Sequence, residues 1–331
     1  MILRLCNFVL HRPLTGCLLA VCAVVALLSG CSDPAQGVIR KLAARLTNAP
    51  WHERHGWKAE DYFTDPKVIA LCRAIEANDL AEMDRLVKAG ADVNAQGKDN
   101  MTPLLWAFPD NNLPRFKWLL EHGADPNVAI ESEFNTGGFM DPGDAVTHFV
   151  CNTAFPGYFD AVFEHGGDPN LRTRRYEDVP LTLVIKGGGG GNRDGKIRAL
   201  IAAGADPDVL SGGWTQAMRA VAWGGQYGLA SLLLDLGADH MVHEANGMRR
   251  LIHVVVAEER AFRANGPEQK ADYQALLKRL TDHGESIELA RKDLQRWDSW
   301  SRTTGEFREK MDAEIAERMA REKAAVKKQP E

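Results

Sequence analysis

The chain has 331 residues, 45% hydrophobic and 26% charged, with 40 Lys and Arg against 45 Asp and Glu. That composition excludes wholesale disorder and a chain that crosses a membrane many times. A formal net charge of −5 leaves no global basic field for DNA or RNA, and the length allows one extended domain or two compact ones.

Arg4, His11 and Arg12 make a basic start, followed by an apolar run from Leu14 to Leu28 and then Leu28-Ser29-Gly30-Cys31. A basic region, a short apolar region and small residues before a cut describe an export signal. The run is short for a spanning helix, which needs about 20 residues. Residues 1–30 are therefore expected to be a signal peptide. The Leu-Ser-Gly-Cys ending resembles the lipobox of bacterial lipoproteins. That resemblance implies cleavage before Cys31, diacylglycerol on the Cys31 sulfur and acylation of the new N-terminus, so that the protein reaches a membrane through this lipid. Ser32, rather than Asp, after the cysteine implies the outer membrane, facing the periplasm.

Residues 31–64 then comprise the lipidated cysteine, a tether and an aromatic cap built on Trp51, Trp57, Tyr62 and Phe63. His52-Glu53-Arg54-His55 falls short of a zinc helix, whose two histidines lie four apart on one face. Here they are three apart with no evident third ligand, and the expectation is a surface pair beside Trp51. Outside the signal and its cut only Cys72 and Cys151 remain. They fall two repeats apart, too far for a disulfide, and are expected as buried thiols.

From residue 65 onward one phrase organises the chain. Gly90-Ala91-Asp92-Val93-Asn94 recurs at Gly123, Gly166, Gly204 and Gly237, and Gly284-Glu285-Ser286 closes the series in degenerate form. The steps are 33, 43, 38, 33 and 47 residues. Each phrase reads as a helix ending: an apolar stretch runs into a glycine that can take positive φ, and the following Asp and Asn favour a tight turn. Thr102-Pro103 supplies a cap and a first-turn proline. The series predicts helix pairs over 67–77 and 80–89, 103–109 and 114–121, 145–153 and 157–164, 180–186 and 195–203, 215–223 and 227–235, and 248–263 and 268–282.

Asn100-Met101-Thr102-Pro103-Leu104-Leu105-Trp106-Ala107, Gly213-Trp214-Thr215-Gln216-Ala217-Met218-Arg219-Ala220 and the Gly-Ala-Asp phrases resemble the ankyrin repeat, whose period is 33 residues. Asn100 and Leu105 stand where that pattern has Gly and His. The resemblance implies an all-α ankyrin-repeat solenoid of about six helix pairs over residues 65–286, with hairpin fingers. Residues 287–331 then form a C-terminal cap, with Leu289, Leu294, Trp297 and Trp300. A charged helix follows, with Phe307, Met311, Ile315 and Met319 along one stripe.

Gly190 to Ile197 nearly spells a phosphate loop, but Ile197 stands where a hydroxyl must reach magnesium, and an inner helix rather than a strand precedes it. His122, His165 and His283 share the slot before the helix-ending glycine, where a cation complements the helix dipole. No catalytic residue, metal ligand or cofactor site can be singled out, and an enzyme is not expected.

Ankyrin proteins engage partners through a concave face of inner helices and hairpin tips. The two long steps add residues at those tips: Glu131, Glu133, Phe134, Phe139, Asp141 and Asp144 in one finger, and Arg172, Arg174, Arg175, Tyr176 and Glu177 in the next, with Trp214 in the following opening. Arg and aromatic side chains dominate binding hot spots, so these residues are expected to contact a protein partner. The opposite charges of the two fingers can equally pair with each other. Lipid-anchored ankyrin proteins of this size resemble immunity proteins found beside secreted antibacterial effectors, including periplasm-directed phospholipases. That resemblance implies a toxin as partner. The alternative is an envelope scaffold that supports another periplasmic protein. No nucleic acid and no small-molecule substrate is expected.

Overall fold

The computed structural model describes residues 51–134, 136, 140–187, 192–259 and 266–300, with scattered positions between 309 and 320. The segment expected as a signal peptide, Cys31 and the expected tether, Phe139, most of the polyglycine run, and Phe307, Met311 and Met319 lie outside the described residues. Ile315, the remaining member of that stripe, is buried. Within the described residues no helix is long and apolar enough to cross a membrane. The chain divides into two units, residues 1–112 with 133–139 and residues 113–132 with 140–331.

The first unit opens with two short helices, α1 (Trp51–His55) and α2 (Ala59–Tyr62). The pair α3 (Pro66–Ala77) and α4 (Leu80–Lys88) follows, then α5 (Pro103–Ala107). Each boundary has a local cause. Asp65 accepts the N–H of Lys67 ahead of Pro66, Asp79 accepts that of Glu82, and Thr102 accepts that of Leu105 ahead of Pro103. α3 buries Val68, Leu71, Cys72 and Ile75 and packs on both α4 and α5. The expected helix over 103–109 is α-helical only to Ala107 and finishes as a 3-10 turn, Phe108–Asp110, because Pro109 cannot donate to an α-helical bond.

The second unit runs α6 (Leu113–Glu121), α7 (Val146–Asn152), α8 (Tyr158–Glu164), α9 (Pro180–Lys186), α10 (Arg193–Ala202), α11 (Gln216–Ala222) and α12 (Tyr227–Asp235). It continues with α13 (Leu251–Glu258), α14 (Pro267–Asp282) and α15 (Ile287–Trp300). The first helix of each pair packs on the next, α7 on α9, α9 on α11, α11 on α13, and α13 on the closing α15. In the second row α6 packs on α8, with Phe116 stacked 4.4 Å from Tyr158, and α12 packs on α14, with Tyr227 edge-on to Tyr273 at 5.1 Å. α10 starts two residues before the expected 195 because Asn192 caps it through Gly195 N. α13 starts three residues after the expected 248, because Glu244 N–H bonds Arg249 C=O and keeps that stretch in a turn.

The recurring phrase carries two sets of hydrogen bonds. Within a repeat the Asp carboxylate accepts the N–H two residues on: Asp92 from Asn94, Asp125 from Asn127, Asp168 from Asn170, Asp206 from Asp208 and Asp239 from Met241, all at 2.8–2.9 Å. Between repeats the Asn side chain acts as a two-way connector. Asn127 donates to Gly166 C=O at 2.8 Å and accepts from Asp168 N–H at 2.9 Å; Asn170 does the same with Gly204 and Asp206, at 2.9 and 3.0 Å. Such bonds contribute about 0.5–1.5 kcal/mol each.

At the next junction Asp208 takes the place of Asn. Its two oxygens accept Asp239 N–H at 3.0 Å, and a carboxylate has no hydrogen to return. Burial pushes the Asp208 carboxyl up to about 6 against the opposing bond from Asp239 N–H, while the charges of Asp239 and Asp206 add to the rise. A raised folded-state value means that the native protein holds this proton more tightly than the unfolded chain does. Stability therefore falls as pH rises from about 4 through 6. Asp208→Asn is expected to stabilise by about 1 kcal/mol at pH 7.5, a value discounted for a half-exposed group. The gain should shrink as the pH is lowered from 6 towards 4. Urea unfolding of both proteins at pH 7.5 and 4.5 checks this, and an undiminished gain at the lower pH would exclude the charge as its cause.

Candidate interaction surface

In the second unit each inner helix is preceded by a finger that closes on its own backbone. Gly143 N–H bonds Ile130 C=O at 2.7 Å and Ile130 N–H bonds Asp144 C=O at 2.9 Å, while Thr173 N–H bonds Asp178 C=O at 2.8 Å. Ser211 and Trp214 exchange N–H···O bonds at 3.0 and 3.2 Å across Gly212-Gly213, whose φ angles of 51° and 84° are those of a two-residue hairpin turn open to glycine. Ile130 and Met140 are buried and anchor the first finger. Gly143 lies so close to Arg174 that a Cβ there would overlap that side chain.

A buried polar network ties the second and third fingers to the inner helices. Asp178, 2% exposed, accepts from Ser211 Oγ at 2.6 Å and pairs with Lys186 Nζ at the end of α9. Arg219 on α11 donates from Nε to Ser211 C=O at 2.7 Å and again from Nη2 to the same oxygen. Burial depresses the Arg219 guanidinium, with Asp178 opposing. Two rings complete the assembly at the surface: Tyr176, 53% exposed, and Trp223, 41% exposed. Lys186 Nζ lies 5.4 Å from the Tyr176 centroid and 4.5 Å from that of Trp223, and the guanidinium carbons of Arg175 and Arg219 lie 5.0 and 4.9 Å from Tyr176 and Trp223 respectively. Nearby, burial raises the Asp144 carboxyl to about 7, with Asp141 and Asp178 adding to the rise.

An ankyrin-repeat family model matches residues 99–130. That stretch is an ankyrin repeat. Among solved structures the chain is similar to an ankyrin repeat domain from Acinetobacter baumannii AYE, at 21% identity and a TM-score of 0.48 over 62% of this chain and 95% of that one. It is also similar to the ankyrin repeat domain of Bcl-3, a member of the IkappaB protein family, at 18% identity and a TM-score of 0.48 over 66% and 86% of the two chains. No curated protein sequence matches. The helix pairs, their glycine-ended turns and the matched repeat make the fold an all-α ankyrin-repeat solenoid, and ankyrin repeats imply contact with other proteins.

Three of the histidines close helix ends in a specific way. His122, His165 and His283 each place Nδ1 at 2.7–2.8 Å from the C=O four residues back, so each ring donates to one of the last carbonyls of its helix. His52 departs from the expected surface position: it is buried in the first unit, stacked at 4.5 Å on Trp106, with Nε2 at 2.9 Å from Trp106 C=O. Helix α1 turns it inward, and spacing alone does not reveal which side of a short helix meets a core. Cys72 and Cys151 are both free and buried, and burial pushes both thiols up.

The expected contact residues separate into three groups. Glu131, Glu133, Arg174, Arg175 and Tyr176 are exposed, and Trp214 is half-buried in its hairpin. Arg172 is exposed but engaged, donating from Nη1 to Glu177 C=O at 3.2 Å and to Leu210 C=O at 3.0 Å, which braces one finger against the next. Phe134 is placed in the core of the first unit at 3% exposure, not at a fingertip. Its left-handed φ of 49° turns its ring to 5.9 Å from Trp57 and 5.7 Å from Tyr62, and Trp57 Nε1 donates to its C=O at 2.9 Å. Part of the opposite charge is met internally, since Arg175 lies 3.8 Å from Asp141.

Lys186, Arg219 and Trp223 were not legible as surface residues. Arg219 and Trp223 are four apart at the end of α11, so they share a face, but only the packing of α9 beside α11 brings Lys186 against them.

Proposed function

We propose that this is a non-catalytic, lipid-anchored envelope protein that binds another protein through the finger and inner-helix surface of its repeats. Within that reading it acts as an immunity protein. It neutralises a secreted antibacterial effector of the type VI class, a periplasmic phospholipase among the candidates, by covering the effector's working site. Residues 1–30 direct export, Cys31 carries the lipid, and the domain faces the periplasm from the outer membrane.

The observation that carries the binding reading is the exposed cluster of Arg174, Arg175, Tyr176 and Trp223 on a braced, preorganised support. Rigid fingers lose little conformational freedom on binding, which favours tight inhibition. The envelope reading is supported by Leu28-Ser29-Gly30-Cys31 after a basic start and a short apolar run.

Two measurements test these readings. Charge reversal, Arg174→Glu with Arg175→Glu, is expected to weaken the partner at least about tenfold, as exposed interface charges do, with an unchanged melting temperature. Unaltered affinity would remove these residues from the interface. Cells producing the protein should survive an effector encoded beside its gene and delivered to their periplasm. Cells carrying Cys31→Ser should lose incorporation of labelled palmitate and lose much of that protection. Equal killing with and without the protein would defeat the immunity reading and leave protein binding to be judged by the first measurement.

A further inference from the structure

Tyr176 and Trp223 are two of the four large hydrophobic side chains that stand exposed among the described residues, and they are neighbours, each within 5.4 Å of the same Lys186 nitrogen. They come from different repeats, one from a finger and one from the end of α11. An exposed aromatic pair of this kind is unusual on a protein surface, and its surroundings state which chemistry it accepts.

Cations already lie over both rings. Arg175 and Lys186 stand over Tyr176, while Lys186 and Arg219 stand over Trp223. A ring face is the preferred seat of a cation, so a basic partner would find its seats taken and meet like charge. Lys186 is neutralised by the buried Asp178. Arg219 is held by the neutral carbonyl of Ser211, which leaves its charge uncancelled by any direct hydrogen bond. Arg174 adds a further exposed guanidinium beside Gly143. Arg175 lies 3.8 Å from Asp141, so among the described residues the cationic charge at the two rings that no carboxylate meets directly is that of Arg174 and Arg219, on a chain whose overall charge is −5.

Two rings that share one nitrogen neighbour span about three residues of extended chain at roughly 3.4 Å per residue. In such a segment, alternate side chains face opposite ways. One set can cover the rings while backbone carbonyls and the flanking carboxylates reach the guanidinium groups, where charge-assisted bonds are roughly twice as strong as neutral ones.

We infer that the surface formed by Arg175, Tyr176, Lys186, Arg219 and Trp223 docks an extended acidic segment of the partner protein, with alternating carboxylate and aliphatic side chains. The inference rests on the protein-binding reading above and names the chemistry of the partner at that site.

The test uses the purified full-length protein labelled with 15N on its tryptophans. The Trp223 indole resonance is assigned by its loss in Trp223→Phe. Three probes are titrated: an acetylated octapeptide of alternating Glu and Leu, the matching Lys and Leu octapeptide, and an eight-nucleotide oligothymidylate. The acidic peptide is expected to shift the Trp223 resonance saturably. Arg175→Glu and Tyr176→Ala, both at exposed positions, should each weaken that response about tenfold or more without moving the melting temperature, and added salt should weaken it in the unmodified protein. No shift at millimolar peptide, an equal response to the Lys and Leu peptide, or a stronger response to the oligonucleotide would overturn the acidic-segment assignment, as would undiminished binding by both variants. If the partner protein is still lost on reversal of Arg174 and Arg175 while the acidic peptide fails, the present inference falls and the protein-binding reading stands.

Discussion

Trp106→Ala is expected to destabilise the first unit by about 3–5 kcal/mol, the range for removing a fully buried large aromatic from a core. Trp106 is completely buried, with His52 stacked at 4.5 Å and Trp57, Tyr62 and Phe63 at 5.6, 5.9 and 6.4 Å around it. Its indole N–H donates to Glu76 at 3.1 Å, joining α5 to α3. Truncation would empty the centre of this ring cluster and remove the bond to Glu76. The same cluster holds Phe134 and fastens α1 and α2 to the first repeat, so the loss should spread through the unit rather than remain local. Urea unfolding followed by helix circular dichroism measures it. Trp214→Ala, at a half-buried hairpin position, serves as a comparison expected to cost about 1 kcal/mol. A Trp106→Ala protein as stable as that comparison would refute the assignment of Trp106 as the keystone of the cap.

The second large effect is expected in the second unit. Glu285 is almost wholly buried and forms a two-pronged ion pair with Arg250, Nε to Oε1 at 2.8 Å and Nη2 to Oε2 at 3.0 Å. Removing one partner of a buried pair costs about 3–5 kcal/mol, because the remaining charge has lost the group that compensated its desolvation. Glu285→Ala should therefore destabilise the second unit by that amount. Replacing both partners with apolar side chains of similar size is often close to neutral. Arg250→Met combined with Glu285→Leu should therefore recover most of the loss. Unfolding free energies of the two singles and the double complete the cycle. A double variant as unstable as Glu285→Ala alone would mean that the pair is held for geometry rather than for charge compensation.

Glu285 also explains why the last repeat phrase is degenerate. In the intact phrases the residue after the glycine is Ala91, Ala124, Gly167, Ala205 or Ala238, small and buried in every case. Glu285 occupies that slot at Gly284-Glu285-Ser286, tolerated because Arg250 reaches it from the start of α13. The sequence displays the departure from the pattern, whereas the partner that makes it acceptable is 35 residues away.

The repeat itself was legible because its signals are local. The glycines at 90, 123, 166, 204, 237 and 284 all have φ between 84° and 103°, a region that side-chain-bearing residues rarely adopt. A glycine recurring after an apolar helix thus reports a backbone state directly. Caps such as Asp65, Thr102 and Thr215 act within three residues, and helix limits were therefore readable to within a few positions. At the end of α5 and the starts of α10 and α13 the shift has a single cause, a proline or a side-chain or backbone bond, that refines a boundary without changing the element, while α13 also ends at Glu258, short of the expected 263.

Sequence alone thus determined the repeating helix pairs, their turns and the location of the long fingers, since each depends on contacts a few residues apart. Tertiary structure decided which of the conspicuous side chains face outward. Phe134 and His52 turned into the core because distant aromatic rings were there to receive them. Trp223 stayed at the surface with Lys186 and Arg219 around it because α9 and α11 pack side by side. Burial is a property of neighbours remote in the chain, and no short-range pattern encodes it.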